Sequence, residues 1–220
     1  MKLLLTSGGI TNKSIANALF ELVGKKSQDI SLVFIPTASN VEKGDKVWLI
    51  DDLVNLKNLG LKSIDIADIS AVEKKVWLPK MKEADILFFE GGNTFHLMEW
   101  INRSGLVDVL PELLKTKVYV GLSAGSMVTN KDLALRLSQV VYEEDFDKTD
   151  DMKALNYVPF YFLPHLNSPY FPKLRKENIE EATRGMKEVV YALDDQSALK
   201  IINGNLEIVG EGECLIFNEQ

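Results

Sequence analysis

Short runs of apolar residues alternate with helically spaced stretches along most of this chain. Residues 2–6 (KLLLT) read as a buried strand that stops at Ser7-Gly8-Gly9. In 14–25, Ile15, Leu19, Leu22 and Val23 fall on one face of a helix. Strands follow at 30–36, 62–68, 84–92 and 118–123, with a helix over 47–60 that closes on Gly60 at its C′ position. Beyond about residue 139 the spacing is less regular. Apolar runs at 157–165, 188–195, 197–202, 206–210 and 213–217 predict strands. The last three are separated only by Asn-Gly and Gly-Glu-Gly turns, which predicts a short antiparallel edge. Alternation of strand and helix implies right-handed crossovers and a mainly parallel sheet covered by helices on both faces, an α/β fold. No repeat or linker divides residues 1–220, so one domain is expected.

Composition narrows the classes. A chain of 220 residues, 46% hydrophobic, can bury a sizeable core. A net charge of -7 argues against a broad nucleic-acid footprint. No apolar run is long enough for a membrane span, and residues 1–6 are too short for a signal peptide. Cys214 is the single cysteine, so an internal disulfide is excluded; in ECLIF it reads as a core residue. A reduced, cytoplasmic protein is expected. The two histidines are far apart in the chain, and no G-x-G-x-x-G or Walker pattern opens a helix, so no metal or other cofactor is expected. The acidic run Glu143, Glu144, Asp145 and Asp147 reads as a solvated loop.

In open parallel sheets, ligands bind beyond the carboxyl ends of the strands. Three loops leave strands at that end: 6–12, 89–95 and 121–126. The last contains Gly121-Leu122-Ser123-Ala124-Gly125, a G-x-S-x-G pattern. A sharp strand-to-helix turn of this kind lifts a serine hydroxyl out of the sheet and leaves the next amide, Ala124 N–H, free to meet an oxyanion. Gly91-Gly92-Asn93 is the candidate for a second donor, with Asn93 or Thr94 also suited to cap the following helix. A nucleophilic serine needs a base. His96 sits in an amphipathic helix; His165 sits in FLPHLNSP, where prolines stiffen a strand end. An acid to orient the base is available in LDDQSAL, where Asp194 and Asp195 point in different directions and at most one can serve.

Taken together, FFEGGNTFHL, VYVGLSAGSMV, YFLPHLN and YALDDQSAL, in this order, resemble the serine peptidase family of aspartyl dipeptidase (peptidase E) and cyanophycinase; LLLTSGG and FIPTAS fit as well. The resemblance runs from Leu3 to about Ile202. It implies a class I glutamine amidotransferase-like fold and a triad of Ser123 as nucleophile, His165 as base and Asp195 as orienting acid. The family usually carries glutamate where this chain has Asp195. An aspartate a short way beyond the nucleophile has also been favoured in the dipeptidase; the position at that offset is Ser138, with Asp132 the nearest aspartate. Gly92 and Ala124 would supply the oxyanion-hole amides. Asn93 and Arg175 would line the substrate site, Arg175 as a clamp for an acidic first residue.

The expected activity is therefore a cofactor-free serine exopeptidase or dipeptidase acting on short peptides, some with N-terminal aspartate, as a monomer or small homo-oligomer. An ordinary α/β-hydrolase esterase is disfavoured, because that fold places its histidine after the acid. A catalytically drifted member, acting as a binding or regulatory protein, is the alternative that the Asp195 substitution keeps open.

Overall fold

A computed structural model describes residues 1–133, 135–142 and 153–219. Among the described residues ten strands run β1 Lys2–Thr6, β2 Ser31–Ile35, β3 Ser63–Ile66, β4 Ile86–Phe89, β5 Val118–Leu122, β6 Tyr161–Leu163, β7 Val190–Leu193, β8 Ser197–Ile202, β9 Asn205–Gly210 and β10 Cys214–Phe217. The helices are α1 Lys13–Val23, α2 Thr37–Asn40, α3 Val47–Asn58, α4 Lys74–Glu83, α5 Thr94–Arg103, α6 Leu106–Leu113, α7 Ala124–Met127, α8 Leu135–Tyr142 and α9 Lys176–Ala182. The main sheet has seven strands in the order β3-β2-β4-β5-β1-β8-β9. Its first five strands are mutually parallel; β8 pairs antiparallel with β1, and β9 antiparallel with β8.

Strand alternation explains why both faces are covered. Successive side chains of a strand point to opposite faces. Leu3, Leu5, Val33, Ile35, Leu87, Phe89 and Tyr119 pack against Trp77 and Met81 of α4, Leu97 and Ile101 of α5 and Leu106 and Leu110 of α6. Leu4, Leu32, Phe34, Ile86, Phe88, Val118 and Val120 pack on the other side against Ile15, Leu19 and Leu22 of α1 and Leu56 of α3. Near-continuous apolar runs are what two buried faces require. Burying one leucine is worth about 1.5–3 kcal/mol, so each of these central strands contributes heavily to the core.

The C-terminal part departs from expectation. The β8–β9 hairpin turns at Asn203-Gly204 and forms the antiparallel edge, as its spacing predicts. The run at 213–217 does not continue it. β10 instead pairs antiparallel with β7, which lies parallel to β6, in a separate three-stranded sheet ordered β10-β7-β6. The core of that layer is closed by Leu137 and Val141 of α8 and Ile179 of α9, which cover Leu163, Val190, Ala192 and Phe217. The expected strand over 157–165 shrinks to Tyr161–Leu163. The acidic run of Glu143 to Asp147 lies outside the described residues.

Candidate active site

The carboxyl ends of β1, β4 and β5 meet at one rim, with Thr6 opposite Leu122 and Phe89 opposite Gly121. Ser123 is delivered there by β5, every residue of which is buried. Its backbone is strained, at φ 48 and ψ -108, a conformation that costs a non-glycine residue about 1–3 kcal/mol. Surrounding bonds hold it. Ser123 N–H donates to the Thr6 carbonyl at 3.0 Å, and the Ser123 carbonyl accepts from the amides of Ser126 and Met127, each at 2.9 Å. The flanking glycines follow from close backbone approach. A Cβ at Gly121 would lie 2.5 Å from the Gly125 carbonyl oxygen, and one at Gly125 would lie 2.1 Å from that of Phe89. α7 begins at Ala124, so its amide is among those with no acceptor inside the helix.

His165 follows β6 across Pro164 and sits at φ 67. Its amide donates to the Ser7 hydroxyl at 2.7 Å, and its ring stacks on Phe171 with centroids 4.6 Å apart. His165 Nε2 lies 2.8 Å from Ser123 Oγ, and Nδ1 lies 2.6 Å from Asp195 Oδ1. A carboxylate can only accept, so Nδ1 carries the hydrogen toward Asp195 and Nε2 is left to accept from the serine. Burial pushes the Asp195 carboxyl up, but the bonds from His165 and Ser7 outweigh it and hold the group below the usual carboxylate range. Ser7 Oγ donates to Asp195 Oδ1 at 2.8 Å. A Cβ at Gly8 would meet Asp195 Cβ at 2.8 Å, so glycine is what lets this loop approach.

The neighbouring Asp194 does different work. Its carboxylate accepts from Gln196 N and Ser197 Oγ on one oxygen and from Glu213 N on the other, fixing the turn between β7 and β8 and the approach to β10. Asp132 accepts from the Tyr161 hydroxyl at 2.8 Å, and the Ser138 hydroxyl donates to the Leu133 carbonyl. His96 lies beside Trp100 on α5.

Gly92 has φ 123, and a Cβ there would lie 2.5 Å from the Ala38 carbonyl oxygen. The Gly91-Gly92-Asn93 turn is thereby seated on α2, with Asn93 N–H donating to that same carbonyl at 2.9 Å. A Cβ at Gly91 would be 3.3 Å from Ser123 Cβ, so this turn adjoins the nucleophile. The Asn93 carboxamide caps α5 by accepting from His96 N–H. Arg175 uses its two terminal nitrogens on the carbonyls of Ser168, Phe171 and Leu174. Its guanidinium ties down the loop bearing Phe171 through these bonds.

Sequence reasoning missed Ser7, which read only as part of a glycine loop, and a pair of acids beside it. Glu90, the last residue before the glycine turn, is fully buried. Neither of its carboxyl oxygens has a partner at full hydrogen-bond geometry; the groups that approach them are the Asp52 carboxyl and the Gly91 amide. Burial, then Asp52, drives Glu90 well above its usual range. Burial also pushes Asp52 up, to about 7, with Asp51 and Asp195 adding to the effect.

Comparison with known proteins gives the family. The sequence pattern of peptidase family S51 matches residues 3–209. The chain belongs to peptidase family S51. It is a serine-type peptidase, a hydrolase. Over 192 residues it is 30% identical to an uncharacterized peptidase of Listeria monocytogenes, covering 83% of this chain and 87% of that one. Peptidase E of Shewanella putrefaciens is 28% identical over 224 residues, covering 98% and 89%. The crystal structure of a candidate peptidase E protein from Listeria monocytogenes superposes with a TM-score of 0.77 at 26% identity, over 96% of this S51 chain and 98% of its own. That likeness supports the α/β fold with a mostly parallel sheet. Among the described residues, no helix is long and apolar enough to cross a membrane.

Proposed function

We propose that this S51 peptidase is an exopeptidase or dipeptidase that cleaves short peptides through Ser123, His165 and Asp195. The observation that carries the reading is the continuous chain from hydroxyl to carboxylate, 2.8 Å at Nε2 and 2.6 Å at Nδ1. Ser123 Oγ attacks the scissile carbonyl carbon while His165 Nε2 takes its proton. The carbonyl oxygen gathers negative charge, which the amides of Gly92 and Ala124 receive. Collapse of the tetrahedral species breaks the C–N bond, and the imidazolium returns the proton to the departing amine. Water, deprotonated by the same nitrogen, then hydrolyses the Ser123 ester. Asp195 keeps Nδ1 protonated and stabilises the imidazolium throughout, while remaining ionised. Aspartate reaches the histidine here despite its shorter side chain because Gly8 and Ser7 close in behind it.

Asn93 lies at the substrate end of the glycine turn, where its NH₂ group can meet a peptide carbonyl while its oxygen caps α5. An N-terminal aspartate, implied by the family resemblance, would meet the Arg175 guanidinium through N–H groups other than those bound to the carbonyls of Ser168, Phe171 and Leu174. The test is labelling with a fluorophosphonate together with turnover of a dipeptide panel. Wild type should label and cleave, and Ser123→Ala should do neither. A wild type that neither labels nor cleaves favours the binding-protein alternative, and turnover retained by Ser123→Ala refutes the nucleophile.

A further inference from the structure

The Glu90–Asp52 pair has no part in the steps above, yet it adjoins them. Strand alternation sends Glu90 to the same side of the main sheet as Phe88, toward α1 and α3. Asp52, on α3, brings its Oδ1 to 3.2 Å from where a Cβ of Gly9 would be, and that same point lies 2.8 Å from Leu122 Cδ1. The pair thus sits under the Gly9 turn, between α3 and the residue that precedes the nucleophile. On its other flank, Gly91 joins Glu90 directly to the turn that touches Ser123. Asp52 is half-buried and Glu90 fully buried, so the pair has an open end and a closed end.

A buried carboxyl whose oxygens lack partners is costly unless it is neutral or met by a cation. Among the described residues neither acid forms an ion pair with a lysine or arginine of the chain, while the nearby charges, Asp51 and Asp195, are of the same sign. In the free protein a proton held between Asp52 and Glu90 meets that need, and a cation brought from outside can take its place. Among the described residues no group of three or more His, Cys, Asp or Glu side chains gathers to hold a metal ion; a peptide substrate itself carries an organic cation. An ammonium group offers three donors to the carboxyl oxygens, and in a peptide cleaved after its first residue the free amino group is two bonds from the carbonyl under attack.

We infer that Asp52 and Glu90 form a subsite for an ammonium group of the substrate, carried either by the free α-amino end of a short peptide or by a basic side chain. This rests on the peptidase reading and deepens it by naming what the site recognises. Without substrate, burial and mutual repulsion keep protons on the pair. Ammonium binding makes the ionised form favourable, so protons leave as the ligand enters.

The test needs no turnover. Fluorophosphonate labelling of Ser123 is timed in the presence of alaninamide, N-acetylalaninamide or Nα-acetyllysinamide. Alaninamide protection marks the α-amino group as the source, and acetyllysinamide protection marks the side chain. The neutral N-acetylalaninamide should protect poorly. Glu90→Gln and Asp52→Asn should each weaken protection by the ammonium compound about tenfold to a hundredfold, the range for a bond to a charged group. In wild type, protection should strengthen as pH rises from about 5.5 to 7.5 as the pair ionises. Labelling of each variant reports that its nucleophile is assembled; where a variant does not label, the wild-type pH series decides. Equal protection by neutral and ammonium amides, no protection by any, or a flat pH series overturns the subsite while leaving the peptidase intact. No labelling of wild type at all removes the peptidase reading, and the subsite with it.

Discussion

Removing the Ser7 hydroxyl is the perturbation that most sharply separates positioning from chemistry at this site. Ser7 Oγ accepts the His165 amide at 2.7 Å and donates to Asp195 Oδ1 at 2.8 Å, without touching Ser123. In Ser7→Ala the His165 N–H loses an acceptor, a change of about 0.5–1.5 kcal/mol. Asp195 loses one of the donors that hold its charge. A bond to an ionised group is worth about 1.5–3 kcal/mol, but the Asp195 side chain is 40% exposed, and screening brings its share down to about 1 kcal/mol. The total, about 2 kcal/mol, corresponds to a loss of about 4–8 °C in Tm for a chain of this size. Only the part felt in the transition state lowers turnover; taking about 1.4 kcal/mol for it gives about a tenfold fall in kcat. The assay is a double-mutant cycle. Asp195→Asn alone should cost about 10³–10⁴-fold in kcat, since the imidazole then loses its tautomer control. If Ser7 acts through Asp195, adding Ser7→Ala to Asp195→Asn should lower kcat by less than about twofold further. Full additivity of the two losses would refute the reasoning, and so would an unchanged kcat in Ser7→Ala with only Tm reduced. The pH dependence has a definite sign. Asp195 is held below its usual range in the folded protein, so its stabilising contribution is present above the unfolded pKa and lost as pH falls through the folded one. Ser7→Ala removes one of the bonds responsible, so the acid-side loss of stability should move to higher pH in thermal melts.

Other substitutions follow from the same contacts. Gly92→Ala should lose turnover and destabilise by about 3 kcal/mol or more, because its Cβ would collide with the Ala38 carbonyl at a φ of 123; differential scanning calorimetry and a labelling rate check both effects. Arg175→Ala should lower cleavage of Ala-Xaa and Asp-Xaa dipeptides, by about threefold to tenfold, since it frees the loop that carries Phe171; a further, selective loss of Asp-Xaa would mark Arg175 as the clamp for an acidic first residue, and equal losses would rule that clamp out. The Asp52–Glu90 pair predicts stability that is greatest in mild acid and declines as pH rises from the usual carboxylate range through about 7, the folded value of Asp52. Thermal melts across that window should flatten in a Glu90→Gln/Asp52→Asn variant. The Cys214 thiol, pushed up to about 12 by burial and by Asp194 and Glu213, should resist iodoacetamide at pH 8 until the chain is unfolded.

The central strands of the main sheet were legible because both of their faces are buried, which leaves unbroken apolar runs such as ILFF and VYVGL. Ser123 was legible because close backbone packing at the elbow demands glycine on both sides, and that demand leaves a local pattern. What the sequence did not carry was pairing between distant segments. The C-terminal strands look alike in spacing, yet β10 docks on β7 because the Asp194 carboxylate binds the Glu213 amide and draws the two together. The choice of Asp195 over Asp194 came only from family resemblance; adjacent aspartates are equivalent until a turn assigns one to itself. Ser7, Asp52 and Glu90 left no trace, since each acquires its meaning from residues tens of positions away.

Ser123 belongs to the main sheet, whereas His165 is mounted on the end of the smaller one. Two separately built layers would ordinarily be free to settle against each other with some play, and a proton path of this length tolerates little. Asp195 and Gln196 are the only links between Asp194, at the close of β7, and Ser197, where β8 enters the main sheet. A residue of extended chain spans about 3.3 Å, so the acid is leashed within a few ångströms of the framework that holds the nucleophile. The imidazole is thus surveyed from the same benchmark as the hydroxyl it serves, and any insertion between 194 and 197 would detune the relay without altering a single one of its members.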